Sequence, residues 1–287
     1  MNSPQIQPFR RIGLVGFGLM GGSLARALKA LPEPPHIRAV AGNPEDLEEG
    51  SAAGVLDEAS VHGPALFEGL DLLIYATPLG PTLELMGDLA DLLEPETLVT
   101  DLVSLKAPVL ERMQELGLSH RFIGGHPMAG GEGRGFSASD GKLFQDARVW
   151  MAVGDADSSS IARIVSFWEG IGARPAFLGA KEHDEMMVWV SHLPQLVATS
   201  LATALARSGF APEDLGRGGR DMTRLAGSTP EMWEELFRRA PQGLGEALGS
   251  VQGQISEFRE LLDRGSVEEI SARMHQTRRW LKEGEWS

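Results

Sequence analysis

The turn Gly16-Phe17-Gly18-Leu19-Met20-Gly21, set between the apolar run Ile12–Val15 and a helical pattern from Ser23 to Ala30, constrains this chain most. The first glycine permits a tight strand-to-helix turn, the second lets backbone approach a phosphate, and the third lets the helix pack against the strand. Backbone N–H groups at the start of such a helix hold a pyrophosphate. The segment therefore points to a bound dinucleotide. A glycine-rich turn that binds nothing is the alternative.

The following residues repeat the strand-then-helix rhythm. Apolar runs at Ile37–Ala41, Asp71–Ala76, Thr97–Asp101, Phe122–Gly125, Val149–Val153 and Arg174–Leu178 alternate with helical patterns over Glu45–Ala53, Leu83–Leu93, Ala107–Leu116 and Ser158–Ile171. Near-continuous apolar strands separated by helices predict a doubly wound, Rossmann-type parallel sheet covered on both faces. From Lys181 onward no strand pattern is found. Apolar residues there recur at three- and four-residue spacing in Met186–Leu205, Trp233–Ala240, Leu244–Leu262 and Val267–Leu281, with a loop over Gly209–Gly219. This predicts an all-α second domain. The expected division is 1–178 for the dinucleotide-binding domain and 179–287 for the helical one.

A net charge of -14 argues against nucleic acid and anionic membranes as partners. The absence of cysteine excludes disulfides and thiolate catalysis and fits a reducing, cytoplasmic setting. The run Ile12–Leu28 contains five glycines and Arg26, so it reads as strand, turn and helix rather than as a signal or membrane span.

His126, in His126-Pro127-Met128-Ala129-Gly130 after the strand pattern Phe122–Gly125, gives the dinucleotide a use. A nicotinamide takes a hydride, and a neighbouring base must take the matching proton. A neutral imidazole suits that task near neutral pH. Ser104, beyond the strand Thr97–Asp101, is placed to hydrogen-bond the same hydroxyl or to cap the next helix. Thr77 and Pro78 follow another strand end and are expected to line the nicotinamide pocket. Where the second strand ends, Val40-Ala41-Gly42-Asn43 offers no carboxylate for a ribose hydroxyl. Asn43 is the candidate contact there. No arginine falls where a 2′-phosphate would need one, which favours NAD and leaves NADP open. In the helical half, Arg224 suits a substrate carboxylate through a two-pronged hydrogen bond. His192 is a second candidate substrate contact and Glu132 a third. His183, on a charged stretch, is expected to pack at the domain junction. No metal is called for.

In order along the chain stand Gly16–Ala25, Ala76-Thr77-Pro78, Thr100–Lys106, His126–Gly130, Glu182-His183-Asp184, Ser191–Pro194, Arg220–Ala226 and Pro230–Trp233. With this set the chain resembles the prephenate dehydrogenases, over roughly residues 10 to 280. The resemblance implies oxidative decarboxylation of prephenate to 4-hydroxyphenylpyruvate, or of its amino analogue arogenate, with transfer to NAD or NADP in tyrosine biosynthesis. It also implies a homodimer formed through the helical domain. Glycines at 133 and 219 stand where that family more often has a lysine nearby and an aromatic, respectively. A different two-domain hydroxy-acid or imine dehydrogenase would be expected to use a lysine in the second domain, yet none lies between Lys181 and Lys282. A dinucleotide-sensing regulator would not need His126, Ser104 and Arg224 together.

Overall fold

The computed structural model describes residues 8–61, 63–131, 133–239, 243–284 and 286, so the candidate contact Glu132 lies outside the described residues. Strands β1 (Arg11–Val15), β2 (His36–Val40), β3 (Glu58–Ser60), β4 (Leu72–Tyr75) and β5 (Leu98–Asp101) form a parallel sheet in the order β3-β2-β1-β4-β5. Helices α1 (Leu19–Lys29), α2 (Pro44–Ala52), α3 (Leu79–Leu89) and α4 (Ala107–Glu115) lie among these strands in the chain. Successive residues of β4 show why its run is uniformly apolar. Leu72 and Ile74 join one core with Leu24, Leu28 and Trp168, whereas Leu73 and Tyr75 join the opposite core with Val109 and Met113. Both faces are covered, as parallel sheets require. Strand order reverses between β1 and β4, and ligands gather at the carboxyl ends of strands at such a reversal.

A second sheet, in the order β6-β7-β8, comprises β6 (Ile123–Pro127), β7 (Arg148–Val153) and β8 (Arg174–Phe177). β8 follows β7 in parallel through helix α5 (Ser158–Gly170), but β6 pairs with β7 antiparallel. The parallel pairing expected for all strands thus fails between β6 and β7, and the strands after β5 form a sheet of their own. Apolar runs carry no mark of direction, and only short helical turns separate β6 from β7. β3, with just Glu58-Ala59-Ser60, had too little apolar content to be read as a strand.

Contacts divide the chain into two units. One is Met1–Met186 with Ser228–Arg239, and the other is Met187–Gly227 with Ala240–Ser287. The first unit therefore runs beyond residue 178 through most of helix α6 (Ala180–Met187), and it also holds helix α9 (Pro230–Arg239). In the second unit a π-helical turn, Val188–His192, leads into α7 (Leu193–Arg207), then α8 (Arg217–Thr223), α10 (Gly243–Asp263) and α11 (Val267–Glu283). Among its described residues there is no strand. Gly218 and Gly219, expected in a loop, lie inside α8. No helix among the described residues is long and apolar enough to cross a membrane.

Candidate active site

At the carboxyl end of β1, Gly16 adopts φ +98 and donates its N–H to the Val40 carbonyl at 2.8 Å. A Cβ on Gly16 would stand 2.7 Å from the Ala76 carbonyl oxygen and the Thr77 methyl, so the ends of β1 and β4 meet through a glycine. A Cβ on Gly21 would fall 2.4 Å from the Gly16 carbonyl oxygen, where only glycine lets α1 pack. Gly18, the N-cap of α1, provides no side-chain cap, and a Cβ there would find nothing closer than Gly135 Cα at 4.0 Å. The first amides of α1 are thus left without a side-chain acceptor beside an approachable backbone, and this fits a pyrophosphate.

The other residues expected at this end take varied positions. Phe17 turns its ring into the core and stacks on Phe136 at 5.1 Å, so only its backbone belongs to the loop. Leu19 and Met20 are half-buried in the first turn of α1. Thr77 pairs its hydroxyl with that of Thr82 at 2.7 Å, and Pro78 is the exposed N-cap of α3. Asn43 caps α2, accepting from the Glu45 N–H at 3.1 Å and donating to Asp46 at 2.9 Å. Asp46 in turn accepts the Phe136 N–H at 2.6 Å, tying the segment after β6 back to α2. Arg38, the only base near the end of β2 in sequence, is engaged with Glu58 and the Glu68 carbonyl.

The histidine corner is built from greater distances along the chain. His126 is the fourth residue of β6 itself, paired with Trp150, rather than part of a turn beyond the strand. Its backbone neighbour Gly125 is held at both ends by a fully buried ion pair. The Gly125 N–H donates to Asp101 at 3.0 Å, and its carbonyl accepts from Lys106 Nζ at 2.7 Å. Lys106 Nζ also donates to Asp101. Burial pushes the Asp101 carboxyl up and the Lys106 ammonium down, each opposed by the other's charge. A Cβ on Gly125 would stand 2.8 Å from the Asp101 carbonyl oxygen, so the close approach of β5 and β6 depends on glycine here.

The His126 side chain meets a partner that the sequence reading did not pair with it. Its Nδ1 lies 2.9 Å from Nε2 of His183 in α6, and His183 Nδ1 lies 2.7 Å from Asp184 Oδ1. His183 is fully buried and lies three residues before the end of the first unit's main segment, so it packs near the division as expected and also meets this corner. Asp184 accepts the backbone N–H groups of Lys106 at 2.7 Å and Ala107 at 2.9 Å, capping α4 from a distance. Ser104 therefore is not that cap. It stands half-buried between Asp101 and Lys106, the two residues that grip Gly125. A signal for His183 was present: Ala180, His183, Asp184 and Met187 fall at one-face helical spacing, which puts two polar residues where a buried stripe runs.

In the second unit His192 is buried within the π-helical turn, a distortion often found at functional sites. Arg224 is exposed at the end of α8, and Asp221 pairs with Arg217 at 3.8 Å.

A glycine turn at the reversal of a parallel sheet, followed by a helical unit, defines the class of two-domain dinucleotide-dependent dehydrogenases. Residues 24–176 match the nucleotide-binding domain of prephenate dehydrogenase, and residues 179–276 match its dimerization domain. The chain belongs to the prephenate dehydrogenase family. It is 30% identical over 257 residues to the prephenate dehydrogenase of Lactococcus lactis, covering 87% of this chain and 70% of that one. It is 28% identical over 264 residues to that of Bacillus subtilis, covering 90% and 71%. The crystal structure of prephenate dehydrogenase from A. aeolicus in complex with hydroxyphenyl propionate and NAD+ matches with a TM-score of 0.86 at 28% identity, covering 96% of this chain and 98% of that one.

Proposed function

We propose that this protein oxidatively decarboxylates prephenate to 4-hydroxyphenylpyruvate with NAD+, serving tyrosine synthesis, and that His126 is the base. The observation that carries the reading is the placement of His126 in the same unit as the glycine turn, with its backbone fixed through Gly125 by the buried Asp101–Lys106 pair. NAD+, when bound, accepts the hydride from the hydroxyl-bearing ring carbon. The turn from Gly16 to Gly21 and the first amides of α1 would hold its pyrophosphate, and Thr77 and Pro78 would line the nicotinamide pocket. NAD is favoured over NADP because a 2′-phosphate near Asn43 would face the carboxylates of Glu45 and Asp46, while Arg38 is committed to Glu58.

His126 Nε2 takes the proton of the substrate hydroxyl. It can return that proton to the same oxygen, now phenolic, as the ring carboxylate leaves as carbon dioxide and the ring becomes aromatic. General-base help of this kind is worth roughly 10²–10⁴ in rate. Ser104 aligns the hydroxyl with the base. Arg224 and His192 are substrate contacts of the second unit, with the Arg224 guanidinium suited to a carboxylate. Glu132 is a further contact. The protein acts as a homodimer through its second unit. Support comes from that unit's small interior of Val188, Leu193 and Ala247, and from exposed Ile255, Leu262, Val267 and Leu281 on α10 and α11. A cytoplasmic setting is consistent with the cysteine-free composition.

The test is stoichiometry. With prephenate labelled at the ring carboxylate, one labelled carbon dioxide is expected per reduced nicotinamide formed. Reduced nicotinamide without release of label would overturn the decarboxylation.

A further inference from the structure

We propose that His183 and Asp184 form a proton-positioning relay that holds His126 in the one tautomer able to act as a base; this rests on the reading of His126 above. One end of this chain of contacts, the Asp184 carboxylate, cannot donate. Asp184 accepts two backbone N–H groups, from Lys106 and Ala107, and those donors fix its role as an acceptor. His183 Nδ1, 2.7 Å from Asp184 Oδ1, must then carry a proton. In a neutral His183 that leaves Nε2 as a lone pair. Nε2 lies 2.9 Å from His126 Nδ1, so His126 donates there and carries its proton on Nδ1. Its Nε2 is left unprotonated, which is the form that can accept the substrate proton. No other assignment of two neutral rings satisfies both contacts.

The relay also acts after the proton moves. An imidazolium at His126 donates from Nδ1 to His183, and His183 donates to the Asp184 carboxylate, so the new charge is answered within a buried corner. The relay has a failure mode with a definite sign. If His183 itself takes a proton, both its nitrogens donate, His126 Nδ1 must accept, and the His126 proton moves to Nε2. The base is then lost. The titratable groups that the His183 ring meets are Asp184 on its own helix and His126 on β6, and from the β5–α4 segment the backbone N–H groups of Lys106 and Ala107 bond the same Asp184 carboxylate. The position of His183 also explains the buried carboxylate beside it: Asp184 serves α4 and the relay at once.

The test compares His183→Phe and His183→Gln with the parent enzyme. The phenylalanine fills the space but neither accepts nor donates; the glutamine keeps an acceptor oxygen near the place of Nε2. For His183→Phe, kcat is expected to fall about a hundredfold, the range over which a positioned base acts, while KM stays within about threefold. The acid limb of the kcat profile is expected to move to lower pH by about one unit, because the relay carboxylate no longer favours the imidazolium. His183→Gln is expected to recover part of kcat. A residue that only packs would change the melting temperature and leave the acid limb where it was. An unmoved limb with undiminished kcat in a folded variant overturns the relay. If His183→Phe does not fold, the limb of His183→Gln decides by the same criterion. His126→Asn, measured alongside, separates the two ideas. Full activity in it removes the base itself, whereas an inactive His126→Asn beside unaltered His183 variants removes only the relay.

Discussion

The cofactor turn and the histidine corner lie in one unit of this molecule and are built in opposite ways. The turn is local: Gly16, Gly18 and Gly21 act through the absence of side chains within a single strand-to-helix connection. The corner is assembled from β5, the start of α4, β6 and α6, and its longest-range bonds join His126 to His183, 57 positions away, and Lys106 to Asp184, 78 positions away. Local construction gives a site that tolerates little change in shape. Long-range construction gives a site whose electrostatics depend on several elements staying together.

Four substitutions sharpen that contrast, beginning with the largest effect. His126→Asn is expected to lower kcat by roughly 10²–10⁴ while the dissociation constant for substrate changes little; single-turnover kinetics with equilibrium binding checks this. Asp101→Asn leaves Lys106 buried without its carboxylate and is expected to cost about 3–5 kcal/mol in stability. Denaturant unfolding reads it, and the double variant Asp101→Leu with Lys106→Met is expected to regain most of the loss while leaving Gly125 loosely held. Gly21→Ala must displace the Gly16 carbonyl and is expected to weaken NAD+ binding about tenfold, or about 1.4 kcal/mol, with the acid limb of kcat unmoved. Calorimetric titration with NAD+ measures the first part and a pH profile the second.

The smallest effect tests locality itself. Asp157 caps α5 from the adjoining residue, and hydrogen bonds led by the Ser160 N–H hold its carboxyl at about 2. A depressed carboxyl adds stability that is full above its unfolded value near about 4 and is lost as pH falls toward about 2. Asp157→Ala is expected to flatten the acid unfolding curve in that window and to leave turnover at neutral pH unchanged. A loss of turnover would show that even this cap communicates with the histidine corner.

The same contrast explains what could be read from the amino acids alone. β1, β2, β4 and β5 were legible because runs such as Leu72–Tyr75 are apolar on both faces, and the glycine turn was legible because its spacing is its mechanism. His126 was singled out by its motif, and the structure sets it within β6 rather than after the strand. The contact of His183 with His126 was not legible because the two stand 57 residues apart, although its packing near the division of the units was expected. A helix cap stood as the alternative reading of Ser104 because nothing in sequence says that Asp184 supplies one from α6. Asn43 was read as a ribose contact, and the cap that its carboxamide forms on α2 was not foreseen. The antiparallel pairing of β6 with β7 was hidden for a related reason, since an apolar strand reads the same in either direction.

The central claim, that this chain oxidises prephenate with NAD+ in a single unit carrying both the turn and the base, is tested most directly by one assay. Formation of reduced nicotinamide is followed with prephenate and with arogenate, each with NAD+ and with NADP+. The account expects turnover with prephenate and NAD+, exceeding the other three mixtures. A folded protein that binds NAD+ and turns over in none of the four would contradict it.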